Sequence, residues 1–248
     1  MFAHFGTART DRHDRHMAAY LACVAGCVNA VGIVLVGSPT SHVTGNVARF
    51  AADLARADAH AATSAVLMVL SFFVGATGAA FVTEVSAVRR TPFAYGIALG
   101  LEAALLGAFA IVANGAMAGH PRVQDAAALF LCTAMGMQNS LVTRISGAVV
   151  RTTHLTGVVT DLGIEAAHWY RWFRTRSDID RPQPGRVVLL ATIVFGFALG
   201  ALLGARLALR WHERAMVVPT VAVALGCVYA VWSGRKLAAA AAVAPHAR

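Results

Sequence analysis

Two six-residue phrases bring hydroxyl, imidazole and glycine groups together at one spacing: Ser41-His42-Val43-Thr44-Gly45-Asn46 and Thr153-His154-Leu155-Thr156-Gly157-Val158. Threonine followed by glycine suits the start of a helix. The hydroxyl of Thr44 or Ser41 can accept from the first free N–H groups, and Gly45 lets the backbone approach a ligand with no Cβ in between. A helix start also concentrates partial positive charge, so two starts meeting at one point would hold an anionic or carboxylate-bearing solute. Thr44, Gly45, Asn46, Thr156 and Gly157 are therefore the first candidates for solute binding. His42 and His154 are secondary candidates. Isolated histidines are more often loop or core residues than metal ligands, and no full ligand set accompanies these two, so neither a metal nor a cofactor is expected.

A second polar group lies inside apolar runs. Each phrase follows a run carrying a Gly-x-x-Asn step, Gly26 to Asn29 and Gly136 to Asn139. Asn29, Gln138 and Asn139 read equally well as interhelical hydrogen-bonding residues and as site lining. Glu102 sits near the middle of another apolar run, where a charge costs about 2.5 to 3.5 kcal/mol on insertion scales. It is either a protonated carboxyl hydrogen-bonded to a neighbouring helix or a proton-carrying or cation-coordinating group; intramembrane carboxylates usually mark pathways, which favours the second. Asp161, just beyond Thr156, is the other coupling candidate. The four cysteines all lie in apolar runs and read as small packing residues. The chain has no His-Glu-x-x-His, no Gly-x-Ser-x-Gly and no phosphate-cradling glycine loop, so no enzymatic activity is expected and no catalytic residue is assigned.

The elements that must position these groups are membrane spans. Hydrophobic residues make up 58% of the 248-residue chain and charged residues 13%, against about 25% charged in soluble domains. Mean hydropathy is +0.63. Six stretches approach the roughly 20 helical residues a bilayer needs: 17–36, 61–82, 93–113, 126–142, 187–207 and 215–231. The second span of each half also corresponds, Phe72 to Ala76 lying on Phe197 to Ala201. The predicted fold is an all-α membrane protein of about six transmembrane helices in two three-span repeats, 17–118 and 119–233. An odd number of spans inverts the second copy. A tail, 1–16, precedes the repeats, a loop, 171–186, interrupts the second, and a tail, 234–248, follows.

Between the first two spans of each repeat runs an amphipathic segment. Val47, Phe50, Ala51 and Leu54 form one stripe; Val158, Val159, Leu162, Ala166 and Trp169 form the other. Such segments lie flat at the interface or re-enter the bundle as half-helices. Polarity grows along each, from Thr44 to Asp58 and from Thr156 to Arg171, as it would if the start is deep and the end wet. The reach is also sufficient: residues 37–43 extend about 20 Å at roughly 3.3 Å each, and half a bilayer core is about 15 Å. Both features favour re-entry.

Net charge is +9, but the basic residues sit mostly between apolar runs, where they set topology, so no nucleic acid partner is expected. The side holding the N-terminus carries 15 of the 21 Lys and Arg residues and the other side 6. Both termini are therefore expected on the cytoplasmic side of a bacterial inner membrane.

With Thr44-Gly45-Asn46, the step from Gly136 to Asn139 and the run from Thr152 to Gly157, the chain resembles the YoaK-like family of bacterial membrane proteins, catalogued as a domain of unknown function, over residues 17–233. The resemblance implies an integral inner-membrane protein with about six spans and supplies no substrate. Similar members often carry an acidic residue near the first span, where this chain has Asn29. The residues themselves favour a small secondary transporter or permease for a small polar or anionic solute. A non-transporting scaffold or sensor is the other reading and would have a filled bundle without a polar cavity. The expected partners are the lipid bilayer, the solute and a second copy, since six spans are few for a carrier and a homodimer would complete the bundle.

Reporter fusions after Arg89 and Arg235 should be cytoplasmic and one after His120 periplasmic; full crossing by both amphipathic segments would reverse the Arg89 and His120 results.

Overall fold

In the computed structural model the described residues are 11–88, 93–113, 120–146, 149–176 and 183–243. Among them there are eight α-helices and no strand: α1 (Asp11–Val36), α2 (Val43–Ala55), α3 (Ala59–Val88), α4 (Ala94–Ala113), α5 (Pro121–Ser146), α6 (Leu155–Thr175), α7 (Pro184–Trp211) and α8 (Val217–Val243). The expected tail at 1–16 is already helical from Asp11, α6 runs into the expected loop at 171–186, and α8 continues through 234–243. Residues 1–10, 89–92, 177–182 and 244–248 of the expected tails and inner loops lie outside the described residues.

Among the described residues five stretches are long and apolar enough to cross a membrane: α1, α3, α4, α5 and a 53-residue stretch, Pro184–Lys236, that holds α7 and α8 together. A straight helix of that length would measure about 80 Å, against a bilayer core of about 30 Å. Its course changes at a 3₁₀ turn, His212–Met216, which begins with His212 at φ 52°. Ala215 and Met216 are fully buried, so the turn is tucked into the bundle.

Side-chain contacts give the directions of the helices. Gly196, Gly200 and Gly204 of α7 rest on Ala19, Cys23 and Cys27 of α1, so these two run parallel. Gly75 of α3 rests on Thr133 of α5 and Gly136 of α5 on Phe72 of α3, while His60 and Ser64 meet Asp125 at one end and Glu84 meets Arg144 at the other; α3 and α5 are parallel too. α1 and α5 cross antiparallel at the centre, where Gln138 Nε2 donates to the carbonyl of Leu21 at 2.7 Å and Asn29 Nδ2 to Met135 Sδ at 3.9 Å. α4 and α8 are antiparallel, with Gly96 against Val231 and Gly107 near Thr220. Most of α1 and α5 is buried, whereas α3, α7 and α8 turn much of their surface outward. Phe73, Phe81, Phe195, Leu209 and Leu225 are among the large apolar side chains left exposed, as a lipid-facing surface requires.

The glycines decide how closely these pairs approach. A Cβ at Gly200 would lie 2.7 Å from the carbonyl carbon of Cys23, and one at Gly75 2.8 Å from that of Thr133. These neighbours are backbone, which cannot give way as a flexible side chain would. Among the glycines of α3 and α7, Gly75, Gly196, Gly200 and Gly204 make close helix contacts; Gly78 does not, because its Cβ direction faces open space. Gly26 and Gly136, read as parts of the asparagine steps, are packing glycines as well.

Gly200→Val and Gly75→Val should each destabilise the detergent-solubilised protein by about 1–3 kcal/mol through overpacking. Gly78→Val should change it by no more than about 0.5 kcal/mol, which thermal unfolding of the three variants would resolve.

Candidate functional site

The site begins where α1 and α5 release the chain. After Val36 the backbone turns through Gly37, whose φ of +73° falls in the region that glycine adopts without strain. Residues 40 and 41 then come back to Asn29, seven residues before the end of α1. Asn29 Oδ1 accepts from Ser41 N at 3.0 Å, Ser41 Oγ at 2.9 Å and Thr40 Oγ1 at 3.4 Å. Its Nδ2 donates to the carbonyl of Ala25 at 2.8 Å. The second linker is tied in the same place: Thr153 Oγ1 donates to Asn139 Oδ1 at 2.6 Å, and Asn139 is likewise seven residues before the end of α5. With a rise of 1.5 Å per residue, both linkers return about 10 Å along the helix they have just left.

From these anchor points α2 and α6 start. His42 and His154 occupy the N-cap positions, and neither helix receives a side-chain cap. The hydroxyl capping expected of Thr44 or Ser41 is therefore not made: Thr44 already lies within the first turn, and Ser41 is taken by Asn29. α2 rests on α3 and α6 on α7, and α2 and α6 do not touch each other.

The two starts differ in what covers them. At Gly45 the position of a Cβ is filled by the imidazole of His42, whose Cε1 would be 2.9 Å away, whereas at Gly157 nothing lies within 4 Å. Gly157 instead opens on a cavity of about 860 Å³. His154, Gly157 and Asp161 form one wall; Asp14, Arg151, Arg186, Leu190 and Ile193 are among the residues completing it. Arg186 reaches from α7 to Asp161 Oδ2 at 3.3 Å and Glu165 Oε1 at 3.5 Å, and these are the ion pairs that hold α6 to α7. Beside the first phrase Arg49 donates to Ser38 Oγ, and farther along, where α3 begins, Asp125 Oδ1 accepts from Ser64 Oγ at 2.7 Å. His60 Nε2 lies 3.5 Å from Asp125 Oδ2.

The other candidates are dispersed. Asn46 is buried in α2 with Oδ1 unpartnered, and Gln138 uses its amide nitrogen on α1 while its Oε1 has no partner. Thr44 and Thr156 are exposed. Glu102 is fully buried in α4 with neither carboxylate oxygen hydrogen-bonded, and it is not part of the cavity wall. No group of three or more His, Cys, Asp or Glu side chains among the described residues could hold a metal ion. Sequence reasoning missed Asp14, Arg151, Glu165 and Arg186. Glu165 was findable, since it follows Asp161 by four residues and shares its helix face. Arg186 and Asp14 read as loop and tail charge.

The family described as "Protein of unknown function (DUF1275)" matches residues 17–229. The chain is 26% identical over 210 residues to a UPF0700 transmembrane protein of Rhizobium meliloti (strain 1021), covering 84% of this chain and 82% of that protein. No solved structure matches it.

Asn29→Ala leaves the Ser41 amide and two hydroxyls without their acceptor and should cost about 1–3 kcal/mol. Asn139→Ala removes one bond and should lower the melting temperature less, a ranking that thermal unfolding in detergent checks directly.

Proposed function

We propose a solute-transport role for this chain, which belongs to the DUF1275 family of proteins of unknown function. It is a multi-pass integral membrane protein. In this reading it is a small secondary transporter or permease of the bacterial inner membrane, with both termini cytoplasmic, and it does no chemistry on its solute. The observation that carries the proposal is the unequal state of two equivalent helix starts: one opens on a cavity and the other is covered by its own histidine.

The contacts support two inverted three-helix repeats. α1 packs parallel on α7 through Gly26 and Gly200 as α5 packs parallel on α3 through Gly136 and Gly75. Each repeat thus lays its first helix on the second helix of the other, and the third helices, α4 and α8, pair antiparallel. In such an arrangement α2 and α6 are re-entrant half-helices entering from opposite faces. The cavity volume falls within the roughly 300 to 1,000 Å³ of small-molecule sites. Uncapped amides at the start of α6, with Arg151 and His154 beside them, suit a small polar or anionic solute.

Alternating access then exchanges the two starts. Here the cytoplasmic one is open; in the opposite state His154 covers Gly157 and His42 leaves Gly45. Thr44, Asn46 and Thr156 line the path at the two starts. Glu102, buried between them in the sequence order, is the coupling carboxylate, with Asp161 at the cavity wall as the alternative. A second copy of the chain would enlarge the six-helix bundle.

The two glycines make the test. Gly157→Val meets nothing in this state but would collide with His154 in the other, so it should lower labelling of an Asn46→Cys reporter, buried here, by an impermeant thiol reagent from the periplasmic side. Gly45→Val displaces His42 and should raise that labelling and lower cytoplasmic labelling of Thr156→Cys. A shift of about 1.4 kcal/mol between the states would change each about tenfold where the labelled state is the minor one. A static scaffold would leave Asn46→Cys unaffected by Gly157→Val, because the two sites do not touch.

A further inference from the structure

The cavity at the start of α6 carries its charges unevenly. Arg186 of α7 meets two carboxylates with one guanidinium, Asp161 Oδ2 at 3.3 Å and Glu165 Oε1 at 3.5 Å, so one negative charge is left over there. Glu165 is buried, and Asp161 is the one of the two that borders the cavity. The opposite sign stands elsewhere on the wall: Arg151 borders the cavity, is exposed, and has no ion-pair partner among the described residues. Asp14 of α1 also borders the cavity and has an interaction of its own. From His154, three residues past Arg151, to Asp161 is seven residues along α6, about 10 Å or two turns. The surplus charges are therefore held apart. On the α7 side the wall is apolar, with Leu189, Leu190 and Ile193 all buried where they border the cavity.

We propose that the cavity binds a zwitterion with an apolar body, its anionic end at Arg151 and its cationic end at Asp161; this rests on the transport reading's choice of the cavity as the solute site. At about 860 Å³ the space is near the upper end of the range for small-molecule sites. An inorganic anion would leave most of it to water. A guanidinium and a carboxylate are each costly to desolvate without an opposite charge, and a singly charged ligand supplies that to only one of them. An anion is also repelled by the surplus carboxylate, and a cation by Arg151. A zwitterion meets both. Its two charges must lie at the ends of a chain, because the charges of an α-amino acid sit side by side whereas the wall groups are about two helical turns apart. The middle of that chain then lies on Leu189, Leu190 and Ile193, where apolar surface leaves water.

Three ligands of equal chain length separate the possibilities: 6-aminohexanoate carries both charges, hexanoate only the negative one and hexylammonium only the positive one. Thermal unfolding of the full chain in detergent, with each ligand titrated at one pH, gives an apparent Kd from the stabilisation. 6-Aminohexanoate should bind about tenfold more tightly than either analogue, since each analogue lacks one charged contact. Arg151→Gln should bring 6-aminohexanoate down to the level of hexylammonium. Asp161→Asn, which keeps the pair between Arg186 and Glu165, should bring it level with hexanoate. These opposite shifts in selectivity are not produced by a general loss of stability. Hexanoate or hexylammonium binding as tightly as 6-aminohexanoate to the unsubstituted protein, a preference that survives both substitutions, or stabilisation by none of the three would overturn the proposal. None of these readouts depends on transport. Helix starts that never exchange would end the transport role and leave the zwitterion site standing, whereas a preference for hexanoate would end the zwitterion and leave transport of an anion.

Discussion

Backbone that leaves its helix inside an apolar layer must find hydrogen-bond partners within the protein, because the lipid offers none. In the proposed re-entrant arrangement two asparagines meet that requirement for the two linkers. Asn29 gives its amide to its own helix and presents its carbonyl oxygen to the returning linker, so a single side chain holds both segments. Asn139 does the same work for the second linker with one strong bond from Thr153. The starts of α2 and α6 are thereby fixed to the two central, most buried helices. Whatever moves in the outer helices, these starts can only move with α1 and α5 or by rupture of those bonds.

The glycine seams follow from the same demand. A polar linker inside the bundle needs walls on all sides, and α7 and α3 can close on α1 and α5 only if their backbones approach without Cβ atoms between them. Association in lipid gains little from hydrophobic burial, so the close contacts are the main source of packing energy. Several buried polar atoms nevertheless lack partners: both oxygens of Glu102, Oε1 of Gln138, Oδ1 of Asn46, Oγ1 of Thr152 and Nδ2 of Asn139. Groups of this kind cost free energy when dry, and a bundle optimised for stability alone would have replaced them with apolar side chains of similar size. Asn46, Asn139 and Thr152 lie near the two linkers, whereas Glu102 is in the middle of α4.

Much of this was legible because the repeat is written in residues whose physical roles are narrow. Glycine at 26 and 136 and asparagine at 29 and 139 each admit few uses in an apolar helix, so their recurrence pointed to the matching places where the two linkers are tied. What stayed hidden depended on which way side chains point. A glycine such as Gly78, in register with a packing glycine but turned outward, reads the same as Gly75. Ser41 had two acceptors or donors within reach, the free amides of α2 and the carbonyl of Asn29, and composition alone cannot rank them. The break between the fifth and sixth spans did show in the sequence, through the polar run from Arg210 to Arg214, and the 3₁₀ turn, His212–Met216, falls at it.

The deepest limit on the sequence reading is also the source of the functional argument. Two phrases with the same His-x-Thr-Gly spacing should, by local rules, adopt the same conformation, yet one histidine covers its glycine and the other stands in a cavity wall. Local preference cannot produce that difference, so it must come from the surroundings: Arg49 is drawn to Ser38 beside the first start, while Arg186 reaches α6 only through its long side chain at the second. In the proposed inverted repeat, a pair of equivalent elements held in unequal states by their neighbours would have an alternative with the roles exchanged. Conversion between them requires no new fold, only the transfer of closure from one face to the other, and that is the minimum a membrane protein needs to pass a solute without opening a continuous pore.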